Sequence, residues 1–389
     1  MRRYSTYTNP NYEKVTLMDP FSVVNRGDPW VDIFKKCIIP NIPIIFKGFT
    51  NEWSALVEWV TEGVPNVDYL LENFGNEDCP VVDAESGDCS SMKFKDYINY
   101  HLSHDDHKLY LKDWHFQKKF GTQSYHLPPF LRTDWVNSEH WTNDETNAFR
   151  GDYRFLYFGW EGTWTPFHSD VLSSHSWSAN ICGKKLWYFV PIGKENLFRQ
   201  GPDFVKDIRD HRSLWVEAGV VEIIQNPGEI VFVPSNWHHQ VHNIETSISL
   251  NHNSVNATNI FHVFSFLCSR EKDVRKEFGA YNLENTFEPE EMTAQVQLVL
   301  RADTGLNFEN LEKLLEQIIS DRSEGENSTC YVCPLHVDLR KCIGNDECMK
   351  FFSSNCSCVD DSCSSCSRLL NSYDLSIALQ VLSELKLQA

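Results

Sequence analysis

The sequence predicts an α+β protein in which a central group of strands is flanked by helices. Aromatic-rich or alternating runs bounded by Gly or Pro predict strands between residues 152 and 253. Apolar residues at helical spacing occur ahead of these strands, and further helical patterns begin at Ile260. Strands and helices that occupy separate stretches of a chain are typical of the α+β class.

The first third of the chain combines short helices with short strands. Residues 1–27 are polar and predict a loosely packed arm. Asn66 and Gly75 are suitable residues for the two ends of one of the helices. Helices are predicted at Trp30–Cys37, Trp53–Val60, Asn66–Gly75 and Phe94–His101, and strands at Pro43–Gly48, 80–83 and Lys108–Phe116.

A long aromatic segment, Gln117–Phe149, follows and has no clear period. It contains the large side chains Tyr125, Trp135 and Trp141. Such a segment can line a substrate groove or form a packing layer on the sheets, and the sequence leaves both interpretations open.

The central strands carry the first candidate ligands. Asp152–Gly159 predicts a buried strand ahead of the segment Thr163–Asp170. If the strand resumes after Pro166, His168 and Asp170 are two residues apart and project to the same face. Two His and one carboxylate on one face form the site of non-haem Fe(II) oxygenases. The H-x-D pattern alone is weak, since a surface His near a turn Asp produces it as well.

The downstream strands add a basic segment and a third group of histidines. Ala179–Pro191 is a strand pattern with Lys184 and Lys185 in its middle. Gly228–Pro234 leads through a turn to a strand that carries His238, His239 and His242, and Thr246–Asn253 is a final alternating strand. Because adjacent strand residues face opposite sides, only one of His238 and His239 can complete a site with His168.

This order of features resembles the Jumonji-C family of 2-oxoglutarate oxygenases, from about residue 30 to residue 255. The segments GWEGTWTPFHSD, GKKLWYFVP and FVPSNWHHQVHN carry the resemblance. It implies a double-stranded β-helix, a cupin-like jelly-roll barrel with flanking N- and C-terminal helices. The resemblance covers the JmjC domain with its N-terminal extension (28–259). Composition and pattern divide the rest of the chain into an arm (1–27), a helical region (260–323), a Cys-rich loop (324–366) and a C-terminal helix (367–389).

The resemblance also implies the catalytic iron site. Its ligands would be His168, Asp170 and His239, since the family's second histidine falls five residues after Pro234. His238 would then pack on the opposite face of its strand, together with a structural His242.

The co-substrate site is implied in the same way. The distal carboxylate of 2-oxoglutarate needs a cation and a hydroxyl in an apolar barrel. Lys185, two residues after Gly183, matches the family's lysine, whereas Lys184 would face solvent. The other candidate contacts are polar, and each could instead make an ordinary hydrogen bond within the barrel: Thr165, Tyr110, Asn251, Asn253, Ser178 and Asn180.

The implied reaction uses Fe(II), 2-oxoglutarate and O2, with ascorbate helpful in vitro, and hydroxylates an unactivated C–H bond while releasing succinate and CO2. The three segments are most similar to a protein lysyl hydroxylase, which implies a lysine of the translation termination factor as substrate. A histone N-methyl-lysine demethylase with the same iron chemistry is an alternative, although no chromatin-reader module is visible. A non-catalytic cupin scaffold is another, but the triad and Lys185 are intact.

Composition restricts partners and compartment. With 35 Lys and Arg against 54 Asp and Glu, the net charge of −19 argues against nucleic acid or anionic membrane as partners. The chain has neither an apolar signal segment nor the roughly 18 apolar residues of a membrane span. Thirteen cysteines without a secretion signal predict a reducing compartment, the cytosol or also the nucleus. Nothing in the sequence predicts the oligomeric state.

Eight of the cysteines lie between residues 324 and 366. Two C-x2-C pairs, Cys330 with Cys333 and Cys363 with Cys366, have the ligand spacing of a tetrahedral zinc site. The segment between them fits no standard zinc finger, so reduced loop cysteines without a shared role are the alternative. The last predicted element is an amphipathic helix, Tyr373–Leu387, which is expected to pack on the domain.

Overall fold

The computed structural model describes residues 21–28, 30–33, 37–104, 108–121, 123–128, 131–143, 152–281, 286–323, 374 and 377–386. The Cys-rich segment 324–366 lies outside these residues, and so do the candidate zinc ligands Cys330, Cys333, Cys363 and Cys366. No helix within the described ranges is long and apolar enough to cross a membrane.

Strands make up the centre of the chain and helices its two ends. The strands are β1 (Ser22–Asn25), β2 (Ile44–Lys47), β3 (Val60–Thr61), β4 (Val64–Pro65), β5 (Asp78–Asp83), β6 (Cys89–Lys93), β7 (Leu109–Trp114), β8 (Arg154–Gly159), β9 (Trp164–His168), β10 (His175–Cys182), β11 (Lys185–Val190), β12 (Arg199–Gln200), β13 (Asp203–Phe204), β14 (Val221–Gln225), β15 (Ile230–Val233), β16 (His238–Asn243) and β17 (Ser247–Ser254). The helices are α1 (Trp30–Ile33), α2 (Ala55–Glu58), α3 (Val67–Phe74), α4 (Phe94–Ser103), α5 (Phe116–Phe120), α6 (Glu139–Asn143), α7 (Trp215–Ala218), α8 (Ile260–Ala280), α9 (Pro289–Thr304) and α10 (Phe308–Ser323).

Two sheets face each other and enclose the interior. The larger sheet has the order β1-β2-β15-β10-β17-β8-β7-β5-β6 and the smaller one β14-β11-β16-β9. All neighbouring strands in them are antiparallel except β1 and β2. Trp187 and Phe189 of the smaller sheet pack in one cluster with Val231 and Val233 of the larger sheet. This arrangement confirms the predicted α+β class and jelly-roll barrel.

The segment Ala179–Pro191 corrects one prediction. The sequence predicts a single strand, but the structure has two strands, β10 and β11, in different sheets. Gly183 forms the turn between them with a positive φ of 68°. A side chain at this position would also collide with the carbonyl oxygen of Thr246. Only Gly satisfies both conditions, so the chain crosses from one sheet to the other immediately before Lys185.

The outer faces of the barrel are covered by three layers. Trp53, Trp59 and other residues of the N-terminal elements pack on the larger sheet. The insertion that contains Phe198 and Ile208 covers the smaller sheet. Helices α8 and α10 form a third cluster with residues 377–386, which confirms that the last helix packs on the domain.

The aromatic segment after Gln117 packs against the barrel. Tyr125 belongs to the cluster on the larger sheet, and Trp135 and Trp141 belong to the C-terminal helical cluster. All three are almost fully buried. Of the two interpretations of this segment, these three side chains therefore support the packing layer.

Most predicted helices are confirmed, with small differences at their ends. Asn66 caps α3 as expected, because its side chain accepts a hydrogen bond from the Tyr69 amide at 3.3 Å. Trp53–Val60 is shorter than predicted, since the regular helix is confined to Ala55–Glu58.

Candidate active site

Strands β9 and β16 bring three candidate ligands together. His168 lies directly opposite His239 in the antiparallel pair, and Asp170 follows two residues after His168. One ligand atom from each of the three side chains lies within 4.8 Å of the other two. Two imidazoles and one carboxylate at this separation can share one metal ion and leave part of its surface open.

Both histidines are oriented by backbone carbonyls. The Nδ1 atom of His168 lies 2.7 Å from the Pro166 oxygen, and that of His239 lies 3.0 Å from the Trp237 oxygen. Because a carbonyl only accepts, each Nδ1 carries the proton and each Nε2 keeps its lone pair for a metal. Burial lowers the pKa of His239, and burial together with His239 lowers the pKa of His168 to about 4. Both rings are therefore neutral at physiological pH, as metal binding requires.

Asp170 is fixed by a serine of the larger sheet. The hydroxyl of Ser176 on β10 donates to Asp170 Oδ2 at 2.7 Å. This hydrogen bond links the two sheets at the metal end of the barrel and leaves Oδ1 for an ion.

We expect Ser176→Ala to weaken iron binding without removing it. The carboxylate loses its orienting donor, and such outer partners of metal ligands contribute about 10–100-fold in affinity or activity. Titration of the apoprotein with Fe(II), followed by turnover, should show half-saturation at a correspondingly higher iron concentration. Equal half-saturation in the variant and the wild type would show that Ser176 does not position Asp170.

The neighbouring histidines face away from the triad. His238 contacts the rings of Phe167 and Phe204, with centroid distances of 5.3 and 4.6 Å. His242 stacks on Trp164 at 5.4 Å and meets the Gln240 side chain at 2.7 Å. These contacts lie on the outer face of the smaller sheet, as predicted for both residues.

A bulge in β9 determines which side Thr165 faces. The pairing with β16 shifts, so that His239 lies opposite His168 whereas Val241 lies opposite Thr165. A step of three residues in β9 therefore spans the same length as a step of two residues in β16. The extra residue turns the Thr165 side chain back toward the interior. In a regular strand, residues three apart would face opposite sides. Because of the bulge, Thr165 and His168 both face the interior.

Lys185 lies deep in the barrel, away from the metal end. Its side chain is 2% exposed, and its Nζ donates to Ser249 Oγ at 2.7 Å. No carboxylate of the described ranges forms an ion pair with it. Burial lowers the pKa of Lys185 to about 7, because the charged form lacks a counter-ion. A buried cation of this kind fits the distal carboxylate of 2-oxoglutarate, which would supply the missing charge.

Tyr110 and Thr165 meet beside this lysine end. Hydrogen bonds from Thr165 and Asn243 act on the Tyr110 hydroxyl, although burial is the stronger effect and raises the pKa of Tyr110. Asn243 lies directly opposite Lys185 in the β11–β16 pair. The structure thus brings three predicted co-substrate residues, Lys185, Thr165 and Tyr110, to the same region.

Gly159 leaves the space that this group needs. A Cβ atom there would lie 2.6 Å from Thr163 Oγ1, 2.8 Å from Tyr110 Cε2 and even closer to the Asn243 amide. We therefore expect Gly159→Ala to lower the free energy of unfolding by about 1–3 kcal/mol through overpacking. It should also raise the KM for 2-oxoglutarate, because Tyr110 must move. Chemical denaturation and initial rates test both effects, and a variant as stable as the wild type would contradict this close packing.

The remaining predicted contacts differ in their surroundings. Asn251 donates to Ser249 Oγ at 3.0 Å and so lies near Lys185, whereas Asn253 donates to Ser174 Oγ at 3.1 Å nearer the metal end. The buried Ser178 Oγ has no hydrogen-bond partner within the ranges described. Asn180 donates to the Gly183 carbonyl at 2.7 Å, so its amide stabilises the turn before Lys185.

Three further residues of the site were not predicted from the sequence. Ser249 binds Lys185, Ser176 binds Asp170, and the Tyr157 ring lies 6.0 Å from the Lys185 Nζ. The alternation of β17 could have indicated Ser249, since Ile248 and Leu250 belong to the outer core. Ser176 and Tyr157 have no comparable signal, because their roles depend on contacts between strands far apart in sequence.

A jelly-roll barrel with an open His-Asp-His site at one end and a buried lysine behind it defines the class of 2-oxoglutarate- and iron-dependent oxygenases. The family JmjC domain, hydroxylase matches residues 155–254, which include the triad and Lys185. The chain belongs to the JmjC family, and its predicted cofactors, iron and 2-oxoglutarate, are those of this class.

Similarity to characterised relatives extends beyond the barrel. The chain is 37% identical to the 2-oxoglutarate and iron-dependent oxygenase JMJD4 of Danio rerio, covering 79% of this chain and 76% of the relative. It is 33% identical to the human protein of the same name, covering 75% and 74%. It is also 33% identical to the arginine-specific demethylase JMJ20 of Arabidopsis thaliana, covering 76% and 71%.

Proposed function

We propose that this protein hydroxylates a lysine side chain of another protein, and that the translation termination factor is its substrate. The observation that carries the proposal is the open face of the His168, Asp170 and His239 site, with Lys185 placed behind it. The choice of a lysine rests on the family resemblance of the three motif segments. The substrate implies that the reaction takes place in the cytosol.

Different residues of the barrel would bind the metal and the co-substrate. Bound iron and 2-oxoglutarate supply the chemistry that consumes O2, releases succinate and CO2, and hydroxylates an unactivated C–H bond. The metal would be held by two neutral imidazoles, His168 and His239, and by the anionic carboxylate of Asp170. Lys185, with Ser249 beside it, would bind the distal carboxylate, and the apolar surface of Val231 and Val233 helps to exclude water.

Intact-mass analysis of the purified termination factor tests the proposal. The factor is incubated with this protein, Fe(II), ascorbate and 2-oxoglutarate, and His168→Ala serves as the control. We expect the gain of one oxygen atom, mapped to a lysine and absent in the control. Turnover of 2-oxoglutarate without this gain would overturn the substrate and keep the oxygenase.

Demethylation is the second candidate function. It is favoured by the similarity to the arginine-specific demethylase JMJ20. Hydroxylation of an N-methyl group gives an unstable product that releases formaldehyde, so the same site supports both outcomes. Peptides with N-methyl-arginine or N-methyl-lysine distinguish the two functions: a demethylase releases formaldehyde and removes the methyl group, whereas the proposed hydroxylase leaves these peptides unchanged.

A further inference from the structure

Strand β7 forms one wall of the site and contains an irregularity. Its pairing with β8 shifts between Leu111 and Trp114. Asp113, inside this bulge, has a positive φ of 60°. Asp adopts this left-handed conformation more readily than most residues, and bulges near sites redirect side chains. The bulge therefore gives Asp113 a direction that a regular strand would not.

Asp113 is anchored by a tyrosine in the interior. The Tyr157 hydroxyl donates to Asp113 Oδ1 at 2.7 Å. The ring of Tyr157 lies 6.0 Å from the Lys185 Nζ and 6.0 Å from the ring of Tyr110. Burial, then Asp113 and more weakly Asp170, raise the pKa of Tyr157 well above its ordinary value. One tyrosine therefore connects Asp113 with the lysine end of the site.

The second oxygen of Asp113 is accessible. The side chain is 51% exposed, and its nearest cation is the Lys112 Nζ, at 3.8 Å from Oδ2. This distance is too long for a hydrogen bond. Over the ranges that the structure describes, Oδ2 has no hydrogen-bond donor. Asp113 is thus a carboxylate with one oxygen fixed by the protein and the other exposed to an incoming group.

We propose that Asp113 is a specificity-determining residue whose carboxylate receives the ammonium group of the substrate lysine. The inference rests on the proposed lysyl hydroxylase function. A charge-assisted hydrogen bond to a pre-oriented carboxylate favours a cationic side chain over an apolar one of the same length. Because Tyr157 fixes this carboxylate from the interior, the bound ammonium group would have a defined position at the wall that β7 and β8 form.

Binding of two peptides to the iron- and 2-oxoglutarate-loaded enzyme under anaerobic conditions tests this role. One peptide carries the target lysine, and in the other norleucine replaces it. Asp113→Asn keeps the acceptor for Tyr157 and the backbone conformation, so the fold should persist. We expect its Kd for the lysine peptide to rise on the order of 10- to 100-fold, while the norleucine peptide binds with little change.

Glu85→Gln is the matched control. Glu85 is an exposed carboxylate that pairs with Lys108 at 2.9 Å, near the other end of β7. Its replacement removes the same negative charge from the surface but should leave both Kd values unchanged. An equal loss of lysine-peptide binding in Glu85→Gln would show that the effect of Asp113→Asn comes only from the change in net charge, and it would overturn the proposal.

A second variant separates substrate binding from a structural role. If Asp113 only neutralises Lys112, then adding Lys112→Met should restore peptide binding to Asp113→Asn, and this result would overturn the proposal. We expect no restoration. If the wild type hydroxylates the lysine peptide but Asp113→Asn binds it equally well, the inference is wrong and the function stands. If the wild type hydroxylates no lysine, the proposed function fails together with the inference.

Discussion

His239→Ala should lose iron binding and reduce turnover of 2-oxoglutarate by more than about 100-fold. Removing a ligand must cost more than removing its outer partners, which already contributes about 10–100-fold. The neighbouring variant His238→Phe should keep its iron and most of its activity. His238 packs against Phe167 and Phe204 on the outer face, where another ring can replace it. Metal analysis and succinate release measure both effects.

This pair of variants tests the assignment of the third ligand directly. The two histidines are adjacent in sequence, so a general disturbance of β16 would affect both variants alike. The opposite result, with activity lost in His238→Phe and kept in His239→Ala, would reverse the assignment of the two faces. Thermal unfolding of each variant confirms that the loss of iron is not a loss of fold.

Lys185→Met should raise the KM for 2-oxoglutarate by about 30-fold or more. Truncating one partner of a buried, hydrogen-bonded charge pair costs about 2–5 kcal/mol. Lys184→Met is the matched control, because Lys184 pairs with Glu245 at 2.5 Å on the surface and should matter little. Stabilisation of the fold by 2-oxoglutarate, measured as a rise in Tm, should vanish in Lys185→Met and persist in Lys184→Met. A 2-oxoglutarate response in Lys185→Met equal to the wild type would contradict the assignment.

The same residue gives the protein a characteristic pH dependence in the absence of 2-oxoglutarate. The folded-state pKa of Lys185, about 7, lies below the roughly 10.4 of an exposed lysine. Between these values the unfolded chain binds more protons, so this lysine's contribution makes the fold more stable as the pH rises. Lys185→Met should therefore stabilise the apoprotein most at pH 7 and below, and progressively less toward pH 10. Denaturant unfolding at several pH values tests this trend.

Register explains how the barrel separates the two ends of the site. In β11 and β16, Lys185 pairs with Asn243 and Phe189 pairs with His239. The lysine and the metal end are therefore four residues apart along the same two strands. The Lys185 side chain would therefore have to reach toward the metal end for one dicarboxylate to contact both the cation and the metal.

The sequence was sufficient where local pattern determines structure. Alternation in Thr246–Asn253 predicted a strand, and β17 has apolar residues such as Leu250 in the outer core and Ser249 inside. Helical spacing after Ile260 likewise predicted α8 to α10. In these segments the side-chain period alone separates a buried face from a polar one.

The other features of the fold and of the site could not be predicted, because they depend on contacts between segments far apart in the sequence. The division of Ala179–Pro191 depends on the approach of the Thr246 carbonyl to Gly183, which no local pattern reveals. The inward direction of Thr165 depends on a bulge relative to β16, and Tyr157 meets Asp113 only because β7 and β8 are neighbours. Resemblance to the family pointed to Thr165, but no residue pattern indicated the contact of Tyr157.

Anaerobic titration of the apoprotein with Fe(II) and 2-oxoglutarate tests the central claim most directly, because the complex of the two absorbs visible light by charge transfer. We predict that absorption appears only when both are present and saturates at one iron per chain. It should be absent in His239→Ala and should require far more 2-oxoglutarate in Lys185→Met. Full absorption in both variants at wild-type concentrations would contradict the assignment of His239 to the metal and of Lys185 to the co-substrate.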